Sequence, residues 1–376
     1  MKAENSVRLV DVWVGVRDPR QAKKVEHPLV ELLVVAVCAV LSGADTFVAV
    51  EVWGKEKLDW LRKYLKLESG IPCHDTFGRV FAAIDPDEFG AAFLRWVGQV
   101  VPTLTNGEVV AIDGKTSRRS GKVGGTPLHL VSAFAAQAGL VLGQRATAAK
   151  SNEKTAIPEL LATLALEGCI VTIDAMGTQP NIAQAIRDRG ADYVLAVKDN
   201  QPTLAASIED FVSAFEAAPG KTPHQFHEVV EKDHGRIEVR RCYVFDQLDC
   251  LHAPERWPDL QSFAVITTER TIRGKATSTE RRTYISSLAP DAQRMNQSVR
   301  MHWRVENSLH WCMDVVLGDD QMRACTDHAA HNLAALRHFV LNLIRLAPVK
   351  RKGGLKVQRL IAATSDTFRA ELLGLV

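Results

Sequence analysis

Strand-like and helical segments alternate between residues 106 and 215, and this alternation is the feature that most constrains the fold. Two apolar runs, Leu128–Gln137 and Leu140–Thr147, meet at Ala138-Gly139, which is typical of a β-hairpin. Other strand-like runs cover 109–113, 169–174 and 192–197, and helical patterns cover 156–166, 179–189 and 203–215. Strands that alternate with helices after an antiparallel meander predict an α/β sheet of mixed direction.

The region before this sheet has a different pattern. Residues 26–105 repeat apolar side chains at helical spacing, which predicts an α-helical N-terminal domain over residues 1–105. Within it, we expect Asp75 to be the N-cap of a helix at 76–84, because a short carboxylate before an apolar run is a helix start signal.

The region after residue 215 predicts two further parts. Residues 224–287 return to β-like alternation before a long helical pattern at 291–316, so they predict a β-rich insertion in an α/β domain of residues 106–347. A second helical stretch follows at 328–346. Residues 348–376 are expected to form a basic C-terminal tail, with six Lys or Arg residues and two acids after Pro348.

Charge and composition exclude several classes of protein. The 46 Lys and Arg residues nearly balance 44 Asp and Glu residues, so any nucleic-acid contact must come from local basic clusters. The longest apolar stretch, Leu32–Leu41, is too short to cross a bilayer, and the first residues lack the layout of a signal peptide. The seven cysteines include no Cys-x-x-Cys pair, which argues against a disulfide framework or a zinc finger. We therefore expect a soluble cytoplasmic protein.

Three acidic residues have the placement expected of a metal site. Two strand-like runs each end in a carboxylate, at Asp113 and Asp174, and ligands gather at the ends of strands in open α/β sheets. A third acid, Glu306, lies within a helical pattern. A period of 3.6 residues puts four other side chains on its face, His302, Trp303, His310 and Met313. Converging carboxylates would repel one another without a cation, and oxygen ligands select Mg²⁺ or Mn²⁺.

A basic loop follows Asp113 and could neutralise the phosphates of a nucleic acid. Its members are Lys115, Arg118, Arg119 and Lys122. These signals also have ordinary structural explanations, because a strand-end Asp is more often a turn residue and a basic loop is more often simply solvated. His302 and His310 could form a zinc pair, but their spacing and the lack of cysteine partners favour partly buried histidines. A tryptophan such as Trp303 is more often a core residue than a base-stacking platform.

The motifs around these acids resemble the H-repeat-associated class of insertion-sequence transposases, within the DDE group that has a ribonuclease H-like core. The matching stretches are 112–115, 172–179, 193–201 and 302–315, with 27–29 and 71–77 upstream. The resemblance covers nearly the whole chain. It implies a ribonuclease H-like mixed sheet with flanking helices, and it implies that Asp113, Asp174 and Glu306 are the acidic triad.

One part of the family pattern is absent here. Many relatives carry Tyr-x2-Arg-x3-Glu-x6-Lys around the third acid, and the corresponding residues of this chain are Val299, His302, Glu306 and Met313. The Arg and Lys that contact DNA in those relatives are therefore missing, and His302, Arg300 or Arg304 could substitute for them. The alternative third acids are Asp314, Asp319 and Asp320.

The resemblance implies a metal-dependent DNA transposase. Water would cleave a phosphodiester at the end of the element, and the freed 3′-hydroxyl would attack target DNA at the same pair of Mg²⁺ or Mn²⁺ ions. The implied partners are double-stranded DNA and a second copy of the chain in the DNA complex, with a nucleoid-associated location. Candidate DNA contacts are Lys115, Arg118, Arg119, Lys198, His302, Trp303, Arg304, the basic tail and, in the N-terminal domain, Arg79.

Two other functions fit the same residues. A ribonuclease H-like, structure-specific DNA nuclease would use the same acids without joining DNA ends. A catalytically silent DNA-binding protein derived from a transposase would bind DNA without a metal-dependent reaction, although the three intact acids argue against it.

Overall fold

A computed structural model of the protein describes residues 9–101, 104–121, 126–147, 153–233, 235–274, 276–348 and 351–375. The N-terminal part is helical, as predicted. Its helices are α1 (Leu9–Val12), α2 (Leu29–Leu41), α3 (Phe47–Glu56), α4 (Leu58–Leu61), α5 (His74–Ala83) and α6 (Pro86–Val100). α2 is buried on almost every side, as its nearly continuous apolar sequence requires.

The prediction that Asp75 is an N-cap is wrong. α5 begins at His74, and the side chain of the preceding residue, Cys73, forms no capping hydrogen bond. Instead Glu51 of α3 accepts a hydrogen bond from the backbone N–H of His74 at 2.6 Å. A carboxylate from a neighbouring helix therefore accepts a hydrogen bond from a backbone N–H that α5 itself leaves unpaired. The local sequence gives no indication of a partner that comes from another helix.

A mixed sheet forms the centre of the molecule. Within the described residues its nine strands have the order β3-β2-β1-β4-β5-β9-β8-β7-β6. The first five are β1 (Val109–Thr116), β2 (His129–Ala135), β3 (Leu140–Thr147), β4 (Ile170–Ile173) and β5 (Asp192–Val197). β1, β2 and β3 are antiparallel, whereas β4 and β5 continue the sheet parallel to β1. With α7 (Glu153–Ala162), α8 (Pro180–Arg187) and α9 (Pro202–Ala217), this sheet confirms the predicted ribonuclease H-like class.

The β-rich insertion is also confirmed, and it belongs to the same sheet. Its strands are β6 (Gln225–Asp233), β7 (Arg236–Phe245), β8 (Ser262–Ile272) and β9 (Ser278–Ser286). β9 pairs antiparallel with β5, with Val194 opposite Ser286 and Val197 opposite Thr283. The insertion therefore extends the central sheet beyond β5 and does not stand apart from it.

The single α-helix expected at 291–316 is interrupted, so that prediction is only partly right. α10 covers Ala292–His302, and two π-helical segments follow, Val305–His310 and Cys312–Val316. In a π-helix each hydrogen bond spans five residues, one more than in an α-helix. A sequence period of 3.6 residues per turn assumes α-helical winding and does not detect this change. Two arginines bind backbone carbonyls of these segments: half-buried Arg345 donates to the carbonyl of Ser308, and buried Arg359 donates to the carbonyl of Val316.

The C-terminal segment is folded, and the expectation of a basic tail is wrong. α11 (Ala329–Arg345), α12 (Leu355–Thr364) and α13 (Asp366–Leu372) pack against the rest of the chain. Arg359 is buried and binds Asp45 and the carbonyl of Val40, and buried Arg369 lies 4.0 Å from the ring centre of Trp60. These two arginines cannot contact phosphates, and Lys350 lies outside the described residues.

α11 joins the N-terminal helices to the sheet. Asn342 exchanges two hydrogen bonds with the backbone of Val141 in β3, at 2.7 and 2.9 Å. One turn after its start, Asn332 donates to the carbonyls of Phe81 and Ile84 at the end of α5. In the described part of the chain, none of the helices has the length and apolar character needed to cross a bilayer.

The buried imidazole of His338 in α11 predicts a loss of stability in acid. Burial lowers the pKa of His338 to about 3, so below the unfolded value of 6.5 the unfolded chain binds a proton that the folded chain does not. The contribution of His338 to the free energy of unfolding should fall by about 1.4 kcal/mol per pH unit between pH 6.5 and about 3. Urea unfolding at pH 7.5 and 5.5 should show a smaller pH dependence for His338→Gln than for the unsubstituted protein, and equal dependence would contradict this assignment.

A second prediction concerns Gly114 in β1. A Cβ at this residue would overlap the buried Glu153 carboxylate and lie 2.7 Å from Nε2 of His129, which is itself 2.6 Å from that carboxylate. Gly114→Ala should therefore lower the free energy of unfolding by about 1–3 kcal/mol. Gly98→Ala in α6 is the matched control, since its Cβ meets nothing within 4 Å, and it should be neutral or stabilising. Urea unfolding of both variants tests the difference, and a Gly114→Ala protein of full stability would exclude the steric argument.

Candidate active site

The pairing of β1 with β4 places Asp113 and Asp174 side by side. The strands are parallel with Ile112 opposite Ile173, so Asp113 within β1 and Asp174 directly after β4 lie side by side, about 4.8 Å apart. The prediction that Asp113 ends its strand is wrong, because β1 stays paired with β2 as far as Thr116. Asp174 also caps the 3₁₀ turn Ala175–Gly177, because its Oδ1 accepts a hydrogen bond from the N–H of Met176 at 3.1 Å. The residue is thus both a turn residue and a lining residue of the cavity at this edge.

The third predicted acid comes to the same place from the first π segment. Glu306, Asp113 and Asp174 line one cavity of about 840 Å³. The ring of His310 bridges two of them, since its Nδ1 lies 3.5 Å from Oε2 of Glu306 and 3.6 Å from Oδ2 of Asp113. One ligand atom from each of Asp113, Glu306 and His310 lies within 4.8 Å of the others. The sequence placed His310 on the same helix face as Glu306 but favoured a partly buried histidine over a metal ligand.

The electrostatics of this cluster favour a bound cation. Burial is the main cause that raises the pKa of Asp113 to about 6; His310 acts against it, and the nearby carboxylates of Glu306 and Asp174 act with it. The imidazole of His310, 3.5 Å away, lowers the pKa of Glu306. Among the ion pairs of the described residues, no Lys or Arg lies within 4.0 Å of these three carboxylates. Three acids facing one another with so little compensation fit a divalent metal ion.

The residues that flank Glu306 were predicted to contact DNA, and they differ in environment. His302 donates or accepts a hydrogen bond at Thr172 Oγ1, 2.9 Å from its Nδ1, and burial lowers the pKa of its imidazole to about 4. A neutral ring does not neutralise a phosphate. Trp303 lies at the cavity rim, where the Arg282 guanidinium sits 4.3 Å from its ring centre. Arg304 is exposed next to Met301.

Basic residues of the loop after Asp113 form ion pairs with acidic side chains of this same chain. Nζ of Lys115 lies 2.6 Å from Asp314, 3.1 Å from Asp319 and 3.6 Å from Asp320. Burial alone would lower the pKa of Lys115, but these carboxylates raise it above its usual value, so the ammonium is charged and paired. This placement argues against a phosphate contact at Lys115, and it argues against a metal site at the three alternative acids.

The other predicted DNA contacts are spread over the surface. Arg118 is 83% exposed, and the exposed Arg119 donates to Gln321 Oε1 at 2.7 Å, while Lys122 lies outside the described residues. Lys198 follows β5 and lines the same cavity as the acids. Arg79 lines a separate cavity of about 740 Å³ in the N-terminal part.

Most of the basic residues near the acids come from the insertion and were not predicted from the sequence, whereas Arg300 of α10 was named there. Arg281 and Arg282 of β9 line the cavity of the acids. A groove of about 270 Å³ adjoins it beside Trp303, and its basic lining residues are Arg236, Arg240, Arg270, Arg282 and Arg300. The run of arginines within 270–282 was a visible signal, but only the pairing of β9 with β5 brings it to the site.

Comparison with known proteins bears on this site. Residues 105–343 match the family model described as Transposase DDE domain, and residues 10–97 match the model described as DDE_Tnp_1-associated. The chain is 39% identical to the candidate transposase YncI of Escherichia coli O157:H7, over 97% of this chain and 94% of the relative. It is 37% identical to the H repeat-associated candidate transposase YhhI of Escherichia coli K12, over 95% of each.

A solved structure is also similar. The piggyBac transposase in a synaptic complex with hairpin DNA aligns with a TM-score of 0.46 and 8% identity, over 98% of this chain and 77% of that one. The family assignment rests on the two family models, which together match most of the chain, and on the two relatives. The protein belongs to the DDE transposase family, and it is a DNA transposase that depends on a divalent metal ion.

Proposed function

We propose that the protein cleaves DNA at the ends of an insertion sequence and joins the freed ends to target DNA. The observation that carries this proposal is the meeting of Asp113, Asp174 and Glu306 around one cavity, although 61 and 132 residues separate them along the chain. A structure-specific nuclease would use the same acids, but the family models and the relatives favour transposition.

The three carboxylates would hold Mg²⁺ or Mn²⁺. Asp113 and Asp174 lie side by side, and together with Glu306 they would hold a pair of ions. When bound, such ions make water or a sugar hydroxyl a stronger nucleophile and stabilise the charge on the phosphate. Asp113 must be ionised for this role, and its raised pKa makes a cation at this position the most direct source of stabilisation for its charge.

The reaction has two in-line displacements. In the first, the oxygen of a water molecule bonds to phosphorus at the element end, the bond to the 3′ oxygen breaks, and that oxygen leaves as a hydroxyl. In the second, this 3′ oxygen bonds to a phosphorus of target DNA and displaces the target's own 3′ oxygen. No bond to the protein forms, so the residues contribute by positioning and by electrostatics.

The neighbouring side chains would orient the substrate. Thr172 fixes the ring of His302 at the wall of the cavity, where the neutral imidazole leaves the charge of the acids uncompensated. Lys198 and Arg282 both line the cavity and would bind the phosphates that flank the cleaved bond. Joining two element ends requires two active sites, and we infer at least a homodimer in the DNA complex.

The acidic triad is tested by isosteric substitution. Asp113→Asn, Asp174→Asn and Glu306→Gln should each retain binding to element-end DNA and lose at least about 100-fold in Mg²⁺-dependent cleavage, because each removes a metal ligand charge. Glu255→Gln is the matched control, an exposed carboxylate outside the cavity, and should cleave normally. Gel assays of labelled ends measure both steps.

The outcome separates the three candidate functions. Full cleavage by any triad variant would remove that residue from the site. With two donor ends and a target plasmid, a transposase gives joined products, whereas a nuclease gives only nicks. Binding without any Mg²⁺-dependent product by the unsubstituted protein would identify a catalytically silent DNA-binding protein.

The phosphate contacts make a separate prediction about salt. Lys198→Gln and Arg282→Gln should each weaken DNA binding for every sequence and reduce the slope of log affinity against log salt by about 1, since each phosphate contact releases a condensed counterion. Arg189→Gln is the control, because Arg189 is exposed before the amino end of β5, whereas Lys198 follows its carboxyl end. Fluorescence anisotropy from 50 to about 300 mM salt measures the slopes. An unchanged slope for both variants would place the DNA elsewhere.

A further inference from the structure

Buried neighbours hold the imidazole of His310 so that it faces the acidic cluster. His310 is the last residue of the first π segment and is 8% exposed, between the fully buried Leu309 and the exposed Trp311. Val305 and Leu309 anchor the same segment in the core with no exposed surface. The orientation of the imidazole is therefore set by buried neighbours, and it directs Nδ1 toward Asp113 and Glu306.

The distances around Nδ1 are those of neighbouring metal ligands. At 3.5 Å from Glu306 and 3.6 Å from Asp113, the ring nitrogen is too far for a good hydrogen bond to either oxygen. Two ligand atoms that each lie about 2.1 Å from one ion are separated by roughly 3.0–3.5 Å, depending on the angle between the bonds. The ring thus stands where one corner of a coordination shell would be.

Neither ring nitrogen of His310 forms a short hydrogen bond within the described residues. Nε2 is buried and has no hydrogen-bond partner there, and Nδ1 lies at least 3.5 Å from both carboxylates. Nδ1 is therefore free to bind an ion. His302 differs in this respect, because its Nδ1 is already engaged with Thr172.

We propose that His310 is a nitrogen ligand of the ion that Asp113 and Glu306 hold, which gives this position a preference for Mn²⁺ over Mg²⁺. The inference rests on the proposed metal-dependent function and adds a ligand to its site. Imidazole nitrogen binds transition metals such as Mn²⁺ readily, whereas Mg²⁺ prefers oxygen ligands and keeps several waters. A site of one nitrogen and two carboxylates should therefore discriminate between the two ions.

Mn²⁺ alone, added to the full chain without DNA, tests the ligand directly. Pulsed electron paramagnetic resonance should detect modulation from a coordinated ¹⁴N in the unsubstituted protein. His310→Gln should abolish this modulation and weaken Mn²⁺ binding by about tenfold or more in calorimetry. His302→Gln is the matched control, a nearby histidine whose Nδ1 is engaged with Thr172, and should keep the ¹⁴N signal.

A second variant keeps the test decisive if His310→Gln folds poorly. His310→Glu offers an oxygen in place of the nitrogen, so it should retain metal binding, lose the ¹⁴N signal and reduce the preference for Mn²⁺ over Mg²⁺ by about tenfold. Circular dichroism and urea unfolding establish that each variant is folded.

The possible results separate this inference from the proposed function. Bound Mn²⁺ without a ¹⁴N signal, or a signal that persists in His310→Gln, would overturn the role of His310 while leaving the acidic site intact. Loss of Mn²⁺ binding in Asp113→Asn establishes that acidic site independently. If the unsubstituted protein binds no Mn²⁺, both the ligand assignment and the proposed metal site are wrong.

Discussion

The in-register pairing of β1 and β4 is the constraint on which the rest of the site depends. It brings two aspartates from distant parts of the chain to adjacent places on one edge of the sheet, and the apolar residues that precede them are buried. Carboxylates this close repel one another, and the folded backbone sustains that repulsion because its strands are held by core packing on both faces. The electrostatic cost of bringing these carboxylates together is largest at Asp113, the most enclosed of the three acids.

The third acid reaches the sheet edge through an unusual piece of helix. π winding leaves some backbone carbonyls without the hydrogen bond that a regular α-helix would provide. Arginines from the C-terminal helices donate to two of these carbonyls, Arg345 to Ser308 and Arg359 to Val316. α11 in turn is tied to β3 through Asn342 and to α5 through Asn332. The C-terminal helices therefore support the helix that carries Glu306, and these two arginines stabilise the fold.

The sequence was sufficient for the class of fold and insufficient for most individual contacts. The strands β1 to β5 could be located because each contains a short apolar run, and Asp113 and Asp174 were visible as the polar residues that end two of these runs, although β1 continues to Thr116. The π segments could not be located, because a 3.6-residue period assumes the winding that they break. The structure also places Glu306 at the same cavity as the two aspartates, and its catalytic role stays a prediction.

Charged residues were the least predictable part, for a physical reason. Lys115 follows a candidate ligand in sequence and was expected to face phosphate, but its partners are aspartates about 200 residues further along. Arg369 was expected in a solvated tail and lies buried over Trp60. Local charge indicates that a side chain needs a partner, and only the tertiary structure determines whether that partner is inside the protein or outside it.

The continuity of the insertion with the central sheet has an evolutionary consequence. The last four residues of β9 pair with β5, next to the strands that carry the two aspartates, whereas β6 is the outermost described strand and pairs there with β7 alone. Changes of length or sequence in that outer hairpin therefore need not shift Asp113 or Asp174. Related chains can vary the far end of the sheet while the edge that carries the two aspartates is preserved.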